Sequence, residues 1–260
     1  TCDITTPEED VAVPILVVIN LETMEKKQYS GTSLNSRITS ATFINNDTLL
    51  VNRSCDRGAG SSGTVDCYTL YGINVVTGEN EALIRAKQTS SGQGIRYPSL
   101  FDSMPQYPNK IIITLNRMPQ FPWRFRDLYW LDLETKRTTK IAEVPDIKNE
   151  WHLQWLIDHE GNARGFVTNH DDRKDYKPNG LKDGLYTYVY LMDPVTKEFE
   201  RMASCKHQEQ CFMPLTFDFD NRMLFGVGQA VNPDGSLDKS MEYTNTNALW
   251  LYDTKKKEYV

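Results

Sequence analysis

What the chain lacks narrows its class before any motif is considered. No run of about 18 apolar residues occurs, so nothing in it reads as a helix able to cross a bilayer; the longest apolar stretch, Val11–Ile19, is β-branched, interrupted by Pro14, and reads as a buried strand. Positive charge is in deficit. The formal net charge is −6, which argues against a nucleic-acid partner, since phosphate binding needs a basic surface. Gly-x-Ser-x-Gly, the nucleophile elbow of α/β-hydrolases, is absent; the Gly58–Gly63 run GAGSSG lacks the spacing and lies between short strands. Metal-ligand spacing is missing as well. The four histidines, His152, His159, His170 and His207, form no ligand pair, and no Cys or Asp cluster completes a zinc set. No metal and no cofactor is therefore expected. Helical periodicity is absent apart from short ambiguous windows such as Asn80–Lys87.

What is present is a phrase of about 14 residues that recurs five times. It consists of an apolar strand, an Asn or Asp, a short turn that usually carries Thr, and a second strand. The copies are Ile15–Tyr29, Tyr68–Ile84, Asp127–Ile141, Tyr186–Met202 and Ala248–Val260, with pivots at Asn20, Asn74, Asp132, Asp193 and Asp253. A strand-only repeat with a period near 60 residues points to stacked four-stranded blades. Between the copies lie four more strand pairs, Arg37–Asn52, Tyr97–Leu115, Trp151–Thr168 and Phe212–Val227, each reversing at turns rich in Asn, Asp or Pro. The expected fold is all-β, a β-propeller of four-stranded antiparallel blades. About four and a half blades are present, beginning with half a blade, so the ring is expected to be incomplete. Residues 1–10 read as an N-terminal extension and residues 11–260 as the partial propeller domain. With 25% charged and 39% hydrophobic residues the composition is that of an ordinary globular domain.

Five cysteines bear on the compartment. Cys55 and Cys67 flank a Gly/Ser-rich loop, and Cys205 and Cys211 flank the polar loop KHQEQ, so each pair brackets a strand-to-strand connection. Two disulfides in an extracytoplasmic protein, periplasmic or secreted, is one reading; free thiols in a reducing compartment is the other. Cys2 is left over and reads as a lipid-modified N-terminal cysteine or as a plain surface thiol. The chain begins at Thr1 without Met, and removal of an upstream segment is expected.

Two loops carry ligand-like chemistry. Met118–Arg126 (MPQFPWRFR) alternates Phe121 and Trp123 with Arg124 and Arg126 on a backbone stiffened by Pro119 and Pro122. Such a loop can dock a peptide or hold its carboxylate through Arg, or can simply pack over a blade edge. His170–Asp183 brings Asp171, Asp172 and Asp175 close together, but without the alternating ligands and glycine turn of a calcium loop, so it reads as solvated. Val231–Ser240 is similar, with a turn at Asn232–Gly235. Asn46-Asp47-Thr48 and Asn52-Arg53-Ser54 fit the glycosylation sequon, a pattern that also arises by chance.

The wording of the repeat adds a resemblance. Leu115–Glu143 (LNRMPQFPWRFRDLYWLDLETKRTTKIAE), followed by Trp155–Thr168 (WLIDHEGNARGFVT), resembles the N-terminal propeller of bacterial prolyl-oligopeptidase-family serine peptidases, in the acylaminoacyl-peptidase or dipeptidyl-peptidase-like branch; Ser40–Asn52 resembles their early strand pair. The resemblance covers most of Arg37–Val260 and its motifs mark turns and strands. It implies a propeller of seven or eight blades that restricts peptide access to an α/β-hydrolase domain of the same polypeptide. The catalytic triad belongs to that domain, so no catalytic residue carries over onto this chain. The expected partners are the peptide substrate and the hydrolase domain, and the expected role is non-catalytic gating or binding. The alternative is a stand-alone propeller that binds a protein or another ligand; an enzyme acting at a propeller mouth would need a carboxylate or metal constellation that is not found.

Overall fold

The computed structural model describes residues 2–6, 9–30, 36–55, 69–88, 95–118, 126–143, 145, 147, 150–171, 185–193, 195–206, 212–228 and 248–260. Among them only strands and turns occur. The window Asn80–Lys87, ambiguous in sequence, holds a strand: Leu83 buries its side chain and Asn80–Ile84 pairs with the preceding strand.

Five antiparallel sheets follow one another along the chain. The first contains β1 (Cys2–Thr6), β2 (Glu9–Ile19) and β3 (Lys26–Ser30). The second contains β4 (Ser36–Phe43), β5 (Thr48–Cys55), β6 (Leu70–Asn74) and β7 (Asn80–Ile84). The third joins β9 (Ile95–Asp102), β10 (Lys110–Met118), β11 (Arg126–Asp132) and β12 (Thr138–Ala142), with the short β8 (Lys87–Gln88) added beside β9. The fourth contains β13 (Glu150–Ile157), β14 (Ala163–Asp171), β15 (Leu185–Met192) and β16 (Phe199–Lys206). The fifth contains β17 (Met213–Phe217), β18 (Met223–Gly228), β19 (Ala248–Asp253) and β20 (Glu258–Tyr259). Among the described residues, strands are in sequential order in every sheet. This is the up-and-down blade architecture read from the repeat. The first sheet has three strands where the recurring phrase supplies two, because Cys2–Thr6, within the stretch read as an extension, pairs along β2 and covers its edge.

The five pivots build one turn five times. Each pivot Oδ1 accepts hydrogen bonds from the backbone N–H groups two and three residues on: Glu22 and Thr23 to Asn20 (2.9 and 3.1 Å), Val76 and Thr77 to Asn74 (both 2.9 Å), Glu134 and Thr135 to Asp132 (3.1 and 2.8 Å), Val195 and Thr196 to Asp193 (2.8 and 3.0 Å), and Lys255 and Lys256 to Asp253 (3.0 and 3.1 Å). Only the side-chain oxygen is used, so Asn and Asp are interchangeable as caps. The fourth residue after the pivot then takes positive φ: Met24, Gly78, Lys136, Lys197 and Lys257 at 58°, 82°, 57°, 62° and 57°.

The chain divides into two compact units, residues 1–120 with 127–140 and residues 121–126 with 141–260. In the first unit Leu16 and Val18 of the first sheet pack on Ile38, Leu49, Val51, Tyr71 and Ile73 of the second. On the second sheet's other face Leu50, Leu70 and Leu83 pack with Ile111, Ile113, Tyr129 and Leu131 of the third. In the second unit Leu156, Val167, Val189 and Leu191 of the fourth sheet meet Phe212, Leu224, Trp250 and Tyr252 of the fifth. One parity rule covers all three interfaces, because side chains alternate between faces along a strand. At each of these three interfaces, residues four and two before the earlier pivot face the later sheet, and residues three and one before the later pivot face the earlier sheet.

Candidate functional site

Antiparallel order sorts the connections of each four-stranded blade to opposite ends. The capped reversals, between its first and second strands and between its third and fourth, lie at one end. The connections between its second and third strands leave from the other end; they comprise residues 56–69, 119–125, 172–184 and 229–247. The Cys55–Cys67 loop and the aromatic and basic loop at Met118–Arg126 belong in sequence to these connections, whose residues 56–68 and 119–125 lie outside the described ones.

Few of the sequence-predicted site residues fall on described side chains. Phe121, Trp123 and Arg124 lie outside the described residues; Arg126 opens β11 and its side chain lies outside them too. Cys55 ends β5, Cys205 lies in β16 and Cys2 opens β1, with side chains not described, while Cys67 and Cys211 lie outside. His152 is in β13 and His159 in a turn as expected; His170, read as part of a loop, belongs to β14, where it pairs with Tyr186. Asp172, Asp175, His207 and the turn Asn232–Gly235 lie outside the described residues. No group of three metal-ligating side chains is found among the described residues.

On the fourth sheet the structure brings together a cluster that sequence reasoning did not assemble. Tyr186, Tyr188 and Tyr190 alternate along β15 and share one face; their register partners on β14 are His170, Thr168 and Phe166. Toward the capped end the stripe is closed and apolar: Phe166 stacks on Tyr190 (4.8 Å, 18°) and meets Trp155 and Phe199 edge-on. Toward the loop-bearing end it opens and becomes polar. The His170 ring lies 5.5 Å from Tyr188, the Tyr186 ring 6.1 Å from it, and the Arg201 guanidinium sits 4.8 Å from the Tyr188 centroid, within cation–π range. Beneath them Glu150 accepts hydrogen bonds from the Tyr190 hydroxyl (2.9 and 3.1 Å) and from Thr168 Oγ1 (2.6 Å). Burial, followed by the Glu150 carboxylate, raises the Tyr190 pKa well above the phenol range, so this hydroxyl stays a donor at all ordinary pH. Aromatic faces, a fixed cation and a half-buried carboxylate make a surface for an extended, amphipathic, zwitterionic ligand. The alternation in YTYVYL was legible as a strand; its functional content depends on Glu150 and Arg201, which reach it only through the sheet.

A second hollow, a cavity of about 260 Å³, lies between the capped ends of the fourth and fifth sheets, over Phe217, Leu191, Met202 and Tyr252. Three of its charged side chains, Asp193, Glu200 and Lys257, pair with one another. Lys257 Nζ pairs with Glu200 (2.9 Å) and Asp193 (3.3 Å), and Arg164 with Asp158 (3.4 Å) while lying 5.4 Å from the Phe217 ring. The Lys257 pairs tie the fourth and fifth sheets together.

Fold and site together define a propeller-type, all-β blade protein. No family model matches the chain, and no curated protein does. Among solved structures it is similar to the β-propeller domain of the Trilobed protease from Pyrococcus furiosus, which has an open velcro topology (12% identity, 98% of this chain and 64% of that one, TM-score 0.47). It is also similar to an oligogalacturonate lyase from Vibrio parahaemolyticus (15%, 94% and 58%, TM-score 0.45) and to acylaminoacyl peptidase from Pyrococcus horikoshii (12%, 94% and 34%, TM-score 0.42). The chain thus spans less than two thirds of each of these three.

Proposed function

We propose that this chain is the non-catalytic propeller part of a serine peptidase of the prolyl-oligopeptidase kind, and that it binds and gates peptides at the loop-bearing ends of its blades. The observation that carries the proposal is the cluster of Tyr186, Tyr188, His170 and Arg201 at that end of the fourth sheet, with the Glu150 carboxylate beneath it. An extended peptide offers what such a surface recognises: side chains for aromatic faces, a carboxylate for Arg201 and an ammonium for Glu150. The family-like phrases in Leu115–Thr168 support the same reading, as does the loop at Phe121, Trp123, Arg124 and Arg126, which leaves β10 from the corresponding end of its own blade. Catalysis belongs to an α/β-hydrolase domain, and the two cysteine pairs suit a periplasmic or secreted setting.

Fluorescence anisotropy with labelled peptides tests the binding half. The chain is expected to bind peptides and hydrolyse none, with Tyr188→Ala and Arg201→Ala each weakening binding by about tenfold, the worth of one aromatic or cationic anchor. Binding indifferent to both substitutions would remove the site, and turnover by the chain alone would remove the non-catalytic assignment. Labelling of the whole protein from its source by a fluorophosphonate tests the peptidase half, and an unlabelled protein would favour the stand-alone binding module.

A further inference from the structure

Equivalent positions in two sheets hold a cation in different company. The residue eight positions after the pivot is Gln28, Ala82, Lys140 and Arg201 in the first four sheets, so the third and fourth place a charge there. In the second and fourth sheets this residue stands directly opposite the tyrosine three positions before the pivot, Tyr71 for Ala82 and Tyr190 for Arg201. In the third sheet the charge is met from within the sheet. Lys140 Nζ lies 3.8 Å from Asp127, a buried carboxylate five positions before the pivot, and 5.9 Å from the Tyr129 ring. The Tyr129 hydroxyl donates to the same carboxylate at 3.5 Å.

The fourth sheet has an aromatic face where the third has that carboxylate. Five positions before its pivot stands Tyr188, whose ring centroid lies 4.8 Å from the guanidinium of the exposed Arg201. The Tyr190 hydroxyl, equivalent to that of Tyr129, turns instead to Glu150, which also accepts from Thr168 Oγ1. Among the described residues Arg201 has neither an ion pair nor a hydrogen bond. A guanidinium presents its N–H donors in a planar fork that matches a carboxylate. The sheet thus holds this cation over a ring and leaves its donors unfilled.

We propose that Arg201 is the specificity-determining residue of this site and selects peptides that carry a carboxylate, in an acidic side chain or at the C-terminus, as the counter-ion that Asp127 supplies to Lys140. The inference rests on the peptide reading of the fourth-sheet cluster and adds the class of peptide. The peptide's carboxylate engages the guanidinium fork, and its apolar groups lie against the rings of Tyr188 and Tyr186. Selection follows from what the fork demands of its partner. A neutral amide in the same place carries no charge and offers one acceptor oxygen where a carboxylate offers two, so its bonds to the same donors are fewer and weaker.

Anisotropy of rhodamine-labelled peptides with the full chain is the test. The peptides share one aromatic-containing sequence: the first has Gln at its centre and both ends blocked, the second has Glu in place of that Gln, and the third keeps the Gln but has a free C-terminal carboxylate. At least one carboxylate peptide should bind about tenfold more tightly than the blocked Gln peptide, by a margin that narrows as salt rises. Which of them does so identifies the source of the carboxylate. Arg201→Gln, at an exposed position, should erase the margin, and Arg201→Lys, which keeps the charge but not the fork, should keep part of it. Tyr188→Phe, which keeps the ring, should leave the margin intact. Tyr188→Asp recreates the ion pair of the third sheet and should erase the margin although Arg201 remains. A margin that survives Arg201→Gln overturns the assignment to Arg201. Equal binding of all three peptides overturns the selectivity; the peptide reading survives that result if Tyr188→Ala still weakens binding, and falls with it otherwise. Absence of binding by every peptide overturns both.

Discussion

Lys257 sits at positive φ (57°) in the last capped turn, and its ammonium bridges Glu200 at 2.9 Å and Asp193 at 3.3 Å, the latter being the pivot of the preceding blade. Glu200 holds the Lys257 pKa above the usual lysine value, with Asp193 adding to it. The pair repeats Lys136–Glu81 of the first unit, so it belongs to the design of the repeat. A charge reversal tests this. Lys257→Glu should lower the thermal midpoint by placing three carboxylates together. Adding Glu200→Lys should recover most of the loss, which a merely local effect at residue 257 would not allow.

Acid should weaken the same corner. Two backbone N–H groups, Thr196 first and then Val195, hold the Asp193 carboxyl down to about 2, while Arg222 is the main cause for Asp253, also about 2. Both folded values lie below the ordinary carboxylate pKa. Their stabilisation is therefore fully present above that ordinary value and is lost as pH falls from there through about 2. Asp193→Asn keeps the Oδ1 acceptor, as Asn20 and Asn74 do naturally, and is expected to preserve the turn near neutrality. It should flatten the acid limb of the plot of midpoint against pH, and a limb as steep as before would show that Asp193 carries none of it.

The fourth turn position calls for left-handed backbone, yet only one copy of the turn meets it with glycine. Gly78 has φ of 82° and Lys197 has φ of 62°. A side chain in this region costs about 1 kcal/mol relative to glycine. Lys197→Gly is thus expected to raise stability by about 0.5–1 kcal/mol and Gly78→Ala to lower it by a similar amount. The space around Gly78 is open, so any loss there measures backbone strain alone. Chemical denaturation of the two variants, read for opposite signs, decides the matter.

The blades were legible because their signals are local. Pivot, Thr and alternating strands lie within some 15 residues of one another, and the Asn/Asp exchange among pivots is what a turn that uses only an acceptor oxygen permits. Sequence did not reveal the first sheet's third strand, because Cys2–Thr6 is fixed by an edge and not by a pattern of its own. Nor did it reveal the fourth-sheet cluster. Glu150 reaches Tyr190 across 40 residues, and Arg201 reaches Tyr188 only because β15 and β16 pair in one particular register. The Tyr alternation was visible; its charged partners were set by pairing, which spacing along one strand does not encode.

Two glycines have a role that no motif announces, and they separate two ways of filling space. A Cβ on Gly165 would stand 2.3 Å from the carbonyl oxygen of Tyr190, on the neighbouring strand β15, and 2.9 Å from Leu191 Cδ2. A Cβ on Gly226 would meet the buried Phe212 ring at 2.2–2.7 Å. Each substitution to alanine should cost about 1–3 kcal/mol through overpacking. The remedies differ, because a ring can be trimmed and a strand's backbone cannot. Phe212→Leu should rescue part of the Gly226→Ala loss, giving a double variant more stable than the sum of the two single effects. Leu191→Ala should leave the Gly165→Ala loss unrescued, since the obstructing Tyr190 carbonyl remains in the β14–β15 ladder. Denaturation of the two double-mutant cycles tests both claims, and full rescue at Gly165 by side-chain trimming would show that the strand yields where it is expected to hold.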